Sequence, residues 1–308
     1  YGHWMHPDDY LVMKEWDDGM LKDWIFNKWQ PANAELIIVG RIDPTEAETL
    51  VRQYFASWEY VGEGEAKEFA KMSLPTKQPT RSVFVFDKPI ATQTQVNMSC
   101  QIDTKDQYDD RARSQVVGQV LSQMAWRKLR EEAGVTYGAG AYASVRQSGS
   151  GSLYLTSLVQ NDSTGFAVKT MFDIVADGAK GNVSVQGIAD AKLSLAREYV
   201  LGQQSGEQML RRLMGTGMEN FDFFDQYGAA LADVSKDDFK TLLKRCEGKE
   251  VVTLVGPISE IEPQLKEKNI EYKVINWEEE RRSLLTEKER KKEDKAKAKA
   301  EKKKVKEK

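Results

Sequence analysis

Two residues in the middle of this chain carry strong hydrogen-bond donors at a defined spacing. Arg130 and Tyr137, in the run Leu129-Arg-Glu-Glu-Ala-Gly-Val-Thr-Tyr137, stand seven residues apart. A guanidinium and a phenol are both donors that can meet carbonyl oxygens, and donors placed where charge develops lower a barrier to acyl transfer. Read from residue types alone, the same pair is also a basic side chain neutralising a helix C-terminus, followed by an ordinary strand tyrosine. The only histidines, His3 and His6, are spaced H-x-x-H beside Pro7. A catalytic zinc takes three protein ligands on a rigid element with a base nearby. No H-x-x-E-H occurs in either direction, so the histidines read as a loop feature and no metal site is expected in this chain. Two cysteines, Cys100 and Cys246, define no disulfide framework and leave the compartment open.

The elements that must position Arg130 and Tyr137 are legible around them. Val117, Val120, Leu121 and Met124 recur at helical spacing, so a helix from Asp109 to Glu132 buries one face and ends in a charged cluster. Gly134 is placed to terminate it, and Val135 to Val145 reads as a strand. Before this unit, Ser82–Phe86 and Gln95–Ile102 read as strands. After it, a Ser/Gly-rich turn at 144–152 leads into a strand over Leu153–Val159. Helices follow over Thr164–Ala179, Ile188–Gly202 and Gly206–Met214, with a break at Gly202 to Gly206 that has no phosphate-loop character. Phe221, Phe223 and Phe224 form an aromatic patch, read as core or as a hydrophobic side-chain pocket. A helix from Val234 opens on a Ser235-x-x-Asp238 capping signal. Then come a buried strand over Glu250–Gly256, a helix over Pro257–Lys268 and a strand over Glu271–Ile275.

Nearer the start, Val12 to Gln30 reads as an amphipathic helix with Trp16 and Trp24 on its apolar side and Trp29 close to its end, packed against a sheet rather than forming a ligand platform. Glu35–Gly40 (ELIIVG) reads as a buried strand. Asp43-Pro44-Thr45-Glu46 opens a further helix, with Asp as cap and Pro in the first turn. Residues 60–81 read as a Gly- and Pro-punctuated linker. The order of helix, apolar strand ending in Gly, then a proline-bearing helix start recurs 216 residues later, at Gly256. Such an offset is far too long for a solenoid and implies two related α+β domains.

Composition bounds the function. The 308 residues, 40% hydrophobic, suffice for more than one domain. Nothing resembles a membrane span or a signal peptide, and the chain opens mid-pattern without Met, as a fragment or processed form. The net charge is −3, although the tail from Glu287 carries twelve Lys or Arg against six Asp or Glu. The remainder is therefore acidic, which argues against nucleic acid as a partner. The tail itself reads as a solvated helix, with Glu287/Lys291 and Glu293/Lys297 pairs, or as disordered chain.

These features together resemble the M16 (pitrilysin/insulinase-like) metallopeptidases. LREEAGVTY is similar to the R/Y motif in the second half of those proteins. QPANAELIIVGRIDPTEAETLVRQYFASW resembles the end of an M16 first domain, with Arg41 where Asp is common, and Tyr1-Gly2-His3 resembles a sequence that follows the zinc site. The resemblance spans about residues 1–276. It implies two α/β-sandwich domains of the M16 type, the first truncated at its N-terminus: residues 1–59, linker 60–81, residues 82–276, and a charged tail 277–308. It further implies that Arg130 and Tyr137 bind the substrate backbone near the scissile carbonyl. The inverted zinc motif and its glutamate ligand would lie upstream, so zinc belongs to the parent protein or a partner subunit and this chain alone is inactive. The function implied is the substrate-binding C-terminal part of a zinc endopeptidase acting on peptides or unfolded proteins. The alternative is a non-catalytic R/Y subunit, or a structural core subunit, of an M16-type heterodimer. Partners would be a peptide substrate and the missing N-terminal domain or a zinc subunit; the compartment expected from the family is periplasmic or otherwise exported.

Overall fold

A computed structural model of the chain describes residues 13, 15–59, 80–102, 109–145, 150–216 and 222–276, with positions 282, 285–287, 290, 291 and 294 of the tail. Contacts divide it into two units: residues 1–34, 58–66 and 275–308 in one, residues 35–57 and 67–274 in the other. His3, His6 and most of the expected linker lie outside the described residues.

In the first unit, helix α1 (Asp18–Lys28) starts where Asp17 accepts a hydrogen bond from the Met20 amide at 2.8 Å. It is shorter than the sequence suggests, and none of its residues is buried. Trp24 is 60% exposed, and Trp16 and Trp29 are similarly open. The expected packing of this helix on a sheet is therefore not seen: its apolar side chains are not gathered on one face, and among the described residues they stand exposed. In the tail, the expected Glu287–Lys291 pair forms at 2.6 Å, while Glu293 and Lys297 lie outside the described residues.

The second unit holds a six-stranded sheet in the order β3-β4-β2-β5-β1-β6. Its strands are β1 (Ser82–Asp87), β2 (Gln93–Gln101), β3 (Thr136–Val145), β4 (Gly151–Gln160), β5 (Val251–Gly256) and β6 (Lys273–Ile275). β2 runs antiparallel to both β4 and β5, β3 antiparallel to β4, and β1 parallel to β5. Every second residue points inward, as a half-buried sheet requires: Val83 and Val85, Val96 and Met98, Leu153 and Leu155, Val252 and Leu254 are all buried. The opposite face carries exposed Tyr154, Thr156 and Leu158.

Helices α3 (Asp109–Trp126), α4 (Thr164–Lys180) and α9 (Ile258–Glu267) pack on the sheet; α8 (Lys236–Leu243) packs against α4, α5 (Val185–Gln203) and α7 (Asp222–Asp233) against α3, and α6 (Gly206–Thr216) against α5. Val117, Val120 and Leu121 are buried as their spacing predicts. α3 approaches β3 closely at Gly118, where a Cβ would stand 2.7 Å from the Ala143 nitrogen. The capping box at Ser235 and Asp238 forms, and Asp43 caps α2 (Pro44–Phe55) by accepting from the Thr45 and Glu46 amides. Residues 223 and 224 fall in α7, but the side chains of the aromatic patch lie outside the described residues.

Two expectations fail here. Glu35–Gly40 forms no strand among the described residues, and Leu36 is 51% exposed. An apolar run becomes a buried strand only when neighbouring strands supply its hydrogen-bond partners. The cysteines also do form a bridge: Cys100 on β2 and Cys246 between α8 and β5 are bonded.

Candidate functional site

Arg130 and Tyr137 meet at the corner between α3 and β3, and three local irregularities create that corner. First, the long helix does not continue as α-helix to Glu132: Arg127–Glu132 forms a π-helical turn. The extra residue per turn is a feature found often at functional sites, and it swings Arg130 relative to the face set by α3. The turn is anchored by fully buried Leu129, whose carbonyl accepts from the Val135 amide at 3.0 Å. Second, Gly134 takes φ +66°, a left-handed conformation that an L side chain disfavours, and the chain reverses into β3. Third, the β3–β4 register slips between Thr136 and Ala139, so one extra residue bulges from β3. Bulges re-aim side chains, and Tyr137 emerges from this one 81% exposed.

Buried hydroxyls support the bulge. Thr136 Oγ1 donates to the Leu158 carbonyl at 2.6 Å and accepts from the Gly138 amide at 3.0 Å, while Ser157 Oγ donates to the Gly138 carbonyl at 2.9 Å. Arg130 Nη1 donates to the Thr136 carbonyl at 3.2 Å, and its guanidinium carbon lies 5.1 Å from the centre of the Tyr137 ring. That is a cation–π distance. The carbonyl contact holds one guanidinium nitrogen, while the phenol projects outward beside the guanidinium at the start of an edge strand. Trp126, one helical turn before Arg130, donates its indole N–H to Glu131 Oε1 at 3.2 Å and is partly exposed.

Two recesses flank this corner. A cleft of about 550 Å³ on the helix side is lined by Ser122, Gln123, Trp126, Glu131, Ala139 and Asp190. A shallower one of about 240 Å³ lies over Gly138, Gly140, Thr156 and Leu158 on the open face of the sheet. Sequence reasoning found Arg130 and Tyr137 but missed Thr136, Ser157 and Trp126. Thr136, adjoining the tyrosine, was the one visible signal; Ser157 comes from another strand and carries none.

A second Arg–Tyr cluster lies between α5 and α6. Arg212 donates to the Tyr199 and Glu198 carbonyls at 2.7 and 3.0 Å, with its guanidinium carbon 4.7 Å from the Tyr199 ring centre. Gly202 leaves room for it, since a Cβ there would stand 2.4 Å from Arg212 Nη2. Tyr199 stacks on buried Tyr227 at 4.7 Å, and the Tyr227 hydroxyl donates to Gln115 at 2.6 Å. Burial, with Glu198 adding to it, pushes the Tyr227 phenol up to about 12. A small cavity of about 130 Å³ adjoins this cluster.

No group of three or more His, Cys, Asp or Glu among the described residues is placed to hold a metal. Cys100 and Cys246 are consumed by each other, so the described residues do not fit a zinc site.

A six-stranded sheet covered by helices on one face defines an α+β domain. A family model described as the peptidase M16 inactive domain matches residues 18–195, and the chain belongs to that family. No curated protein matches it. Among solved structures, it is similar to a peptidase M16 inactive domain from Pseudomonas fluorescens (20% identity, TM-score 0.65, covering 79% of this chain and 58% of that one). It is also similar to a protease from Helicobacter pylori (14% identity, TM-score 0.70, 80% of this chain and 60% of that one). A third is the periplasmic protease PqqL from Escherichia coli (17% identity, TM-score 0.53, 71% of this chain and 24% of that one). At these identities the likeness is one of fold. The chain spans 58–60% of the length of the first two.

Proposed function

We propose that this chain is the substrate-binding C-terminal part of an M16-type zinc endopeptidase acting on peptides or unfolded proteins. The observation that carries this reading is the α3–β3 corner, where Arg130 and Tyr137 stand together at the head of an edge strand. β3 has β4 on one side and no strand on the other among the described residues. An extended peptide is recognised through main-chain hydrogen bonds, and an edge strand offers them. The guanidinium and phenol add donors for a substrate carbonyl, and the two flanking recesses suit side chains on either side of an extended backbone.

Zinc and the catalytic base belong, in this reading, to an M16-type domain in the same polypeptide or in a partner subunit. The partition into residues 1–59 and 82–276 belongs to the same proposal, with Glu35–Gly40 as a strand of the first domain awaiting its neighbours. Export to the periplasm, the compartment of the PqqL protease, suits this reading.

A second reading is a non-catalytic R/Y subunit or structural core subunit. The family model's description as an inactive domain favours it. The discriminator is the natural sequence upstream: an H-x-x-E-H there supports the endopeptidase, and its absence supports the partner subunit.

The test is peptide hydrolysis by the chain alone, then with its natural upstream segment or a zinc-bearing M16 partner. The expected result is an inert chain that gains activity on complementation and loses it with Arg130→Ala. Stoichiometric zinc and hydrolysis by the isolated chain would overturn the proposal. An active complement indifferent to Arg130 and Tyr137 would remove their role.

A further inference from the structure

Cys100 and Cys246 belong to no motif and lie 146 residues apart, yet their Cα atoms stand 5.4 Å apart and their sulfurs are bonded. Cys100 is on the inward side of β2, the strand at the middle of the sheet; Cys246 is in the turn that leads α8 into β5. β2 and β5 are hydrogen-bonded neighbours, with Ser99 opposite Val251, so the bridge closes beside the last rung of that ladder. The turn is itself held: the Cys246 amide donates to the Leu243 carbonyl at 3.0 Å, and its carbonyl accepts from the Lys249 amide at 2.9 Å. Cys246 is wholly inaccessible and Cys100 6% exposed, with both in the main apolar core.

From this geometry we infer that the Cys100–Cys246 bond is a permanent structural staple, acquired by oxidation during folding in a disulfide-forming compartment. Thiol–disulfide exchange requires a thiolate to reach a sulfur, and in the folded state both cysteines are buried in the apolar core, Cys246 completely. A redox switch needs the opposite, an exposed pair. In forming the bond, two thiols give up two protons and two electrons. A donor disulfide accepts them and becomes two thiols, so the step requires a dithiol-disulfide oxidant of the kind found where proteins fold outside the reducing cytosol. The covalent ring encloses α3, the π-turn, β3 and β4, and with them the whole Arg130–Tyr137 corner. The inference does not depend on the substrate-binding reading and holds whether or not that pair binds a peptide.

The test is a thiol and peptide map of the chain produced in an oxidising compartment. Free thiols are blocked in denaturant, and the protein is digested with trypsin without reduction. The expected result is the short peptide Cys246–Lys249 covalently joined to the peptide carrying Cys100, with neither cysteine blocked. Two blocked cysteines would overturn the assignment. The native protein, held in a thiol reductant, should keep the bond for hours and release two thiols promptly once denaturant is added. Reduction at the same rate with and without denaturant would make the bond an accessible switch and not a staple. Chain made in a reducing cytosol should melt about 5 °C or more below the oxidised form. Equal melting of the two forms would remove the stapling role.

Discussion

Among the described residues, two Arg–Tyr pairs have nearly the same geometry and opposite character. Arg130 lies 5.1 Å from the Tyr137 ring centre and Arg212 lies 4.7 Å from that of Tyr199. Arg212 turns two nitrogens onto the carbonyls of Glu198 and Tyr199, and the ring it covers stacks on buried Tyr227. Its donors are spent inside the protein, tying α6 to α5. Arg130 spends one nitrogen on the Thr136 carbonyl, and its tyrosine stands in solvent. The chemistry of the side chains is shared, so what separates an anchoring pair from an outward-facing pair is whether the surrounding backbone absorbs the donors. A π-turn, a left-handed glycine and a bulge hold the first pair outward, whereas a glycine in α5 lets the second lie flat.

Substitutions can break that contrast. Arg130→Ala should lower hydrolysis by the complemented enzyme about 100-fold, the magnitude of losing one preorganised donor, while leaving the melting temperature nearly unchanged. A loss of stability with no loss of kcat/KM would make Arg130 an anchor like Arg212. Arg212→Ala should do the reverse, costing about 2 kcal/mol in denaturant unfolding through two lost charge-assisted hydrogen bonds, with activity per folded molecule retained. Tyr137→Phe should reduce hydrolysis roughly 10-fold by removing one hydroxyl donor from an exposed ring, with no measurable change in unfolding.

The smallest effect concerns pH. The Tyr227 phenol is raised to about 12 in the folded protein from an ordinary value near 10, chiefly by burial. Its contribution is therefore fully present below pH 10 and is lost as pH rises towards 12, because the unfolded chain releases the proton first. By pH 11 the loss is about 1 kcal/mol. Denaturant midpoints measured from pH 9 to 11 should fall more steeply for the wild type than for Tyr227→Phe. Parallel curves would mean that the phenol is open to water and that the second pair is less enclosed than its geometry indicates.

Much of the second unit was legible because its signals are local. The partly alternating residues of β1 and β2, the apolar runs of β4 and β5, the Ser235–Asp238 capping box and the Asp43 cap each depend on a few neighbouring residues, and each element forms where it was expected. The candidate pair was legible too, through its seven-residue spacing and Gly134. What escaped was set by distant partners. The apolar runs of α1 and Glu35–Gly40 predicted burial, and both stand exposed, since hydrophobic pattern states a demand for a partner without supplying one. The helix ending at Glu132 was right in extent and wrong in its last turn, where packing of Leu129 and the Val135–Leu129 hydrogen bond favour a π-turn over continued α-helix.

Short-range chemistry, acting through caps, side-chain periodicity and backbone preference, thus determined from the sequence most of the helices and strands of the second unit and that Arg130 and Tyr137 flank one corner. Only the tertiary structure decided that β3 is an edge among the described strands, that a bulge turns Tyr137 outward, that Ser157 supports it from the next strand, and that Cys100 meets Cys246. Each of these is a contact between residues far apart in the chain. Such contacts exist only once the sheet order is chosen, and that order is set by the summed burial of the whole core rather than by any single stretch.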